Sequence, residues 1–174
     1  MLNPFKKKYT QEEQDLFNFM NEVKYFEQLT FEELSLFKPF MYERTYKQNE
    51  VVFFRGDPSY ALYIVKNGEV SLNIDVKDKF EELTILSEKG TFGDNSILDN
   101  TERIYSSIVV SEKAELYVIP QINIHEIMNS HPEVRAKMMT SYAELYNDYT
   151  SNLFKIYKSS FGFFELGSVY NKTK

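Results

Sequence analysis

The chain has 174 residues, 43% of them hydrophobic and 26% charged, with no cysteine, no tryptophan and a net charge of −6 at neutral pH. That length suits one domain with a real core, and the missing thiols exclude disulfides, thiolate metal sites and cysteine nucleophiles. The acidic balance argues against nucleic acid as a main partner, since a phosphate backbone is held by clustered Lys and Arg, and no apolar run approaches the length of a membrane span.

The opening residues carry one basic run, Lys6-Lys7-Lys8, and no apolar stretch of the kind that marks a secretion signal, so a cytoplasmic setting is expected. Residues 1–40 read as N-terminal helices. Thr10 with Glu13 has the form of a capping box, and Phe19, Val23 and Phe26 share one face, which predicts a helix over 10–28. Thr30 with Glu33 starts a second, short helix that carries Leu34 and Phe37 inward and ends before Pro39. From 41 to 120 the texture is β: short runs at 41–46, 51–54, 61–66, 69–75, 80–87, 103–110 and 114–120, separated by turn signals such as Gly56-Asp57-Pro58 and Asn67-Gly68. Asn67-Gly68 predicts a tight hairpin between its flanking strands.

After Pro120 the period is helical again, over 121–129 and then 132–158, with Pro132 in a first-turn position where its missing N–H does no harm. Met138, Tyr142, Leu145, Tyr149 and Ile156 form a heptad-like stripe on this last helix, with Asn152 as its polar member. The C-terminal helices thus span 121–158, and a tail spans 159–174. The arrangement is α+β: seven or eight short strands making a sandwich, barrel or jelly roll between N-terminal helices and a long C-terminal helix.

The segment 90–107, GTFGDNSILDNTERIYSS, admits two readings. In one, Gly93-Asp94-Asn95-Ser96 opens a helical turn whose free amides, with the permanently charged fork of Arg103, cradle an anion, while the Asp94 carboxylate accepts from a sugar hydroxyl. In the other it is a plain strand connection, with Asp94 as a cap and Arg103 paired at the surface with Asp94, Asp99 or Glu102.

Phe54-x-Gly56-Asp57, the apolar spacing around Tyr63 and Ile64, Gly68-x-Val70, and then Phe92-Gly93 with Arg103 resemble the cyclic-nucleotide-binding domain family. Its members include regulatory subunits of cyclic-AMP-dependent kinase, cyclic-nucleotide-gated channels and bacterial catabolite-activator-type regulators. The resemblance covers about Leu29 to Leu145. It implies an antiparallel, jelly-roll-like β-roll of about eight strands that is a non-enzymatic regulatory sensor with no required cofactor, in which cyclic AMP docks on Phe92, Gly93, Asp94, Asn95, Ser96, Arg103, Ile104 and Tyr105 and moves the C-terminal helices. In the family an arginine grips the cyclic phosphate, a glutamate takes the ribose 2′-hydroxyl, and small residues follow the arginine. Here Asp94 stands for the glutamate, one methylene short, a change worth about 1–3 kcal/mol if the hydrogen bond is lost. Asn95 stands for an apolar residue, and Ile104 and Tyr105 stand for the small ones. Position 104 also lacks the hydroxyl that guanine-preferring members often carry, which points to cyclic AMP over cyclic GMP.

Two further expectations complete the reading. The helix 132–158 serves as a homodimer seam, or its stripe packs on the chain's own core. A separate effector protein reads the helix movement, because the 17 residues after Tyr157 are too few for a helix-turn-helix. The aromatic residues Phe161, Phe163 and Phe164 are candidates to stack on a bound base. His125 and His131 both fall in the helical region, His125 on a helix surface, which leaves the strands without the histidines of a metal-binding cupin. Neither a metal site nor a membrane or nucleic-acid partner is expected. The alternative function is a ligand-free β-roll acting as a dimeric protein-interaction scaffold, distinguished by whether Ile104 and Tyr105 point into the cradle.

Overall fold

The computed structural model describes residues 8–76 and 79–161. In chain order it runs α1 (Gln11–Asn21), α2 (Phe31–Leu34), a 3-10 turn (Lys38–Phe40), β1 (Tyr42–Lys47), β2 (Val51–Phe53), β3 (Ala61–Asn67), β4 (Val70–Val76), β5 (Lys79–Leu86) and β6 (Thr91–Phe92). A second 3-10 turn (Asp94–Ile97) follows, then β7 (Ser106–Val109), β8 (Lys113–Pro120), α3 (Gln121–Ser130) and α4 (Pro132–Phe161). Both capping boxes form: Thr10 and Thr30 each accept from the backbone three residues on, while Glu13 and Glu33 reach back to the cap amides. These reciprocal bonds satisfy donors that a helix start otherwise leaves unpaired.

The strands make two antiparallel sheets, ordered β1-β8-β3-β6 and β2-β7-β4-β5. They enclose a core of Phe53, Val65, Val70, Leu72, Phe92, Val109, Ala114 and Leu116. A second core lies outside the first sheet, where Leu62, Ile64 and Ile119 meet Phe17, Met20, Phe26, Phe37, Ile124 and Met138 from the helices. β3 therefore serves both cores, with Leu62 and Ile64 toward the helices and Val65 between the sheets. A strand buried on both faces reads as a nearly continuous apolar run, which is what Ala61-Leu62-Tyr63-Ile64-Val65 is.

Several local expectations need correction. The first helix stops at Asn21 rather than 28, and the chain continues in tight turns, with Val23, Phe26 and Leu29 each donating to the carbonyl three residues back. A regular helix would rotate successive side chains by about 100°; the tight turns instead bury Val23, Tyr25, Phe26 and Leu29 together. Pro39 does not merely follow a helix but sits inside the 3-10 turn, where its fixed φ is accommodated.

The Asn67-Gly68 hairpin does not form. β3 and β4 belong to different sheets, and Gly68 carries the chain across. Its φ is +88°, and a Cβ there would lie 2.4 Å from the Lys113 carbonyl oxygen. The run expected from 103 is a strand only from Ser106 onward, and β6 is an additional two-residue strand beside β3.

The stripe on α4 divides. Val134, Met138 and Tyr142 are buried, and Leu145 and Tyr146 pack partly against the same core. Lys24–Glu144 and Lys137–Glu33 ion pairs add to this anchorage. Farther along, Tyr149, Leu153 and Ile156 are exposed, so Leu153 joins the stripe beside Asn152.

Candidate functional site

The turn after β2 builds the site from below. The Asp57 carboxylate accepts from the Phe54 amide at 2.8 Å, and Gly56, at φ +84°, donates to the Arg103 carbonyl at 2.8 Å. Arg103 in turn donates its amide to Asp57 at 2.8 Å, and Ser59 donates to Thr101 at 3.0 Å. Residues 54–59 thus zip against 101–103. This pairing is why the expected strand at 103 is delayed, and it fixes the backbone from which the Arg103 side chain departs.

That side chain runs inward. Arg103 is 4% exposed, with its guanidinium 4.1 Å above the Phe53 ring and 5.6 Å from that of Tyr63. Nη1 donates to the Gly93 carbonyl at 2.9 Å and Nη2 to the Ala61 carbonyl at 2.8 Å. Nε is buried with no partner, and among the described residues no carboxylate comes within ion-pair distance of the group. The surface ion pair of the second sequence reading is therefore absent. Burial pushes the guanidinium's pKa down, and Tyr63, Tyr105, Asp94 and Asp57 push it back up.

Gly93 adopts the left-handed region at φ +69°, and a Cβ there would sit 2.3 Å from Arg103 Nη1. Only glycine allows this approach without strain. The Gly93 amide donates to the Tyr105 hydroxyl at 2.9 Å, so a donor expected to face an anion already has a protein acceptor. Tyr105 packs toward Phe53 at 5.9 Å, and burial, followed by the charge of Asp94, pushes its phenol's pKa up. Ile104 turns away and is 63% exposed. The two bulky residues thus part company, one packed beside Phe53 and the other facing solvent.

Phe92 is fully buried and stacks on Tyr63, its β3 partner, at 5.0 Å and 14°. Asn95 braces the loop: Oδ1 accepts from Ser59 at 2.8 Å, Nδ2 donates to the Glu102 carbonyl, and its own carbonyl accepts from Thr101 at 2.7 Å. Ser96 is buried and its hydroxyl has no partner, as is true of Ser107 on β7. Ser107 lies opposite Phe53 and Leu72, hence on the inner face of its sheet. The small residues expected directly after Arg103 occur here two positions later, as Ser106-Ser107. The Asp94 carboxylate accepts from the Tyr25 hydroxyl at 2.8 Å.

Tyr25, Phe53, Tyr63 and Ser107 were not among the expected site residues. Phe53 and Tyr63 carried a signal, being apolar positions flanking the Gly56 turn, whereas Tyr25 stands 69 residues from its partner with no local sign of it. His125 is not a plain surface residue: Nε2 lies 3.0 Å from the Ile97 carbonyl and Nδ1 3.2 Å from Asp99, tying α3 to the segment after the Asp94–Ile97 turn. Among the described residues no group of three or more His, Asp or Glu side chains could hold a metal, and no helix is long and apolar enough to cross a membrane. Phe163 and Phe164 lie outside the described residues, and Phe161 is the last residue of α4.

The fold is thus a two-sheet roll with Arg103 folded beneath the left-handed Gly93, flanked by helices that pack on one sheet. The family model described as "Cyclic nucleotide-binding domain" matches residues 43–131, and the chain belongs to that family. Its relatives include the Cyclic AMP receptor protein of Thermus thermophilus, 33% identical over 82 residues, which are 47% of this chain and 38% of that protein. The Global nitrogen regulator of a Nostoc species is 29% identical over 99 residues, 55% of this chain and 44% of that protein. The chain thus covers less than half of either relative. Among solved structures, the Thermus thermophilus catabolite activator protein superposes with a TM-score of 0.65 at 26% identity, covering 76% of this chain and 62% of that one. The regulatory domain of Toxoplasma gondii PKA, crystallised with cAMP, shares the fold, with a TM-score of 0.63 at 20% identity over 70% of this chain and 46% of that one.

Proposed function

We propose that this chain is a non-enzymatic, cytoplasmic sensor module that binds a cyclic nucleotide, cyclic AMP in preference to cyclic GMP, and reports occupancy through its C-terminal helices. The observation that carries the reading is Arg103: a buried guanidinium with, among the described residues, a free Nε and no carboxylate within ion-pair distance. A buried charge without a counter-charge is costly, and an anionic ligand would supply the missing partner. The unpartnered Ser96 hydroxyl adds a polar group to the same segment. Phe92, Gly93, Asp94, Asn95, Tyr105 and Ile104 complete the proposed site, with Phe92 as wall, Asn95 as brace and Ile104 at the rim. The preference for adenine rests on Ile104, which offers no hydroxyl to a guanine.

Calorimetry with cyclic AMP and cyclic GMP tests the reading. Binding of cyclic AMP should be seen below millimolar concentration and should weaken about 100-fold in Arg103→Ala, the loss of a buried, charge-assisted contact. Wild-type protein that gives no heat with either nucleotide overturns it.

The partner we propose is a second copy of the chain, joined through helix 132–158, with a separate effector protein reading the joined helices. Tyr149, Leu153 and Ile156 support this, being exposed apolar residues at coiled-coil spacing that continue the anchored part of the stripe. Sedimentation equilibrium should give twice the chain mass for the wild type and a monomer for Leu153→Glu. The scaffold reading is favoured by one specific contact, the Tyr105 hydroxyl on the Gly93 amide. A dimeric protein that binds neither nucleotide is its signature.

A further inference from the structure

The carboxylate of the site is already engaged. Tyr25, in the segment between α1 and α2, is 1% exposed and donates its hydroxyl to Asp94 Oδ2 at 2.8 Å. Tyr146 of α4 feels the same charge: burial first, and then Asp94, pushes its phenol's pKa far up. Tyr146 stacks on Tyr142 at 4.4 Å, and Tyr142 lies 6.1 Å from Tyr25. A run of side chains therefore links the Asp94–Ile97 turn to the N-terminal segment and, through Tyr142, to α4. Burial also pushes the Tyr25 phenol far above its ordinary pKa, so it remains a proton donor to the carboxylate.

We propose that the Tyr25 hydroxyl latches Asp94, which makes Tyr25 a specificity-determining residue of the site. A sugar hydroxyl that takes Oδ2 displaces a buried phenol, and that displacement loosens α4, on whose Tyr142 ring Tyr25 packs. The ligand half of this inference rests on the cyclic-nucleotide reading; the latch itself is a property of the empty protein. Exchanging one hydroxyl donor for another leaves the displaced phenol unsatisfied in a buried site. The 2′-hydroxyl of a ribose then adds little net affinity, and recognition falls to Arg103 and the phosphate.

Two measurements on the full chain test the latch. The first is hydrogen exchange on ligand-free wild type, Tyr25→Phe and Asp94→Asn. Both variants should accelerate exchange in residues 142–149 of α4 about tenfold, the loss of one buried hydrogen bond, while β3 and β8 stay at wild-type rates. Unchanged α4 rates overturn the latch, and so does an equal acceleration in β3 and β8, which would mark a general loss of stability. The second measurement compares cyclic AMP with 2′-deoxy cyclic AMP. Wild type should bind the two within about threefold, and Tyr25→Phe should bind cyclic AMP about tenfold tighter with the deoxy analogue unchanged. A wild-type preference for cyclic AMP of about 30-fold or more shows the carboxylate to be open and overturns the latch. If wild type binds neither nucleotide, it is the cyclic-nucleotide reading that falls, and the exchange experiment alone decides the latch.

Discussion

Gly93→Ala should be among the most damaging single substitutions in this chain. A non-glycine residue at φ +69° costs about 1–2 kcal/mol by itself. The new methyl would lie 2.3 Å from Arg103 Nη1 and 2.9 Å from the Ala61 carbonyl, so the guanidinium must leave the two carbonyls it now serves. Each charge-assisted hydrogen bond lost adds about 1.5–3 kcal/mol. Total destabilisation of about 4–8 kcal/mol lowers the melting temperature by roughly 10–30 °C for a domain of this size. Thermal unfolding followed by circular dichroism reads it directly. A variant that melts with the wild type would show that Arg103 is not held beneath Gly93.

The second large effect is expected at Phe53. Its ring lies under the guanidinium at 4.1 Å and contacts Tyr63, Phe92 and Tyr105 at 5.7, 5.8 and 5.9 Å. Phe53→Ala removes the platform and opens a cavity between the sheets, for a loss of about 3–5 kcal/mol in denaturant unfolding. Phe53→Leu separates the two contributions. It should restore most of the stability, because it refills the volume, yet leave cyclic AMP binding about tenfold weaker, because an aliphatic side chain has no negative ring face to hold the cation. Equal ligand affinity in Phe53→Leu and wild type would mean that the ring's role is packing alone.

The contrast between these two residues shows what could be read without coordinates. Gly93 and Arg103 are ten positions apart, inside one segment whose residue types already suggest an anion site, and the structure brings them into contact. The capping boxes at Thr10 and Thr30 were equally legible, because their chemistry closes within four residues. Asn67-Gly68 misled for the same reason that short motifs help. Its turn chemistry is identical whether the chain returns within one sheet or crosses to the other, and only the packing of two sheets decides which. β6 is two residues long, too short for alternation to register. Arg103 was legible as a charge but not as one laid flat on Phe53 and Tyr63, since both rings come from strands more than 35 positions earlier. Tyr25 was invisible as a partner of Asp94: a phenol in a helical stretch carries no mark of what it will meet.

One consequence of α4 follows from its length alone. At 1.5 Å per residue its 30 residues reach about 45 Å. The end near Val134, Met138 and Tyr142 is bedded in the core, whereas the reach beyond Tyr149 projects Leu153 and Ile156 into solvent. Such a rod behaves as a lever gripped over its first half and free over its second. A pivot of about 5° at Tyr146 would swing the far tip, about 22 Å away, by about 2 Å.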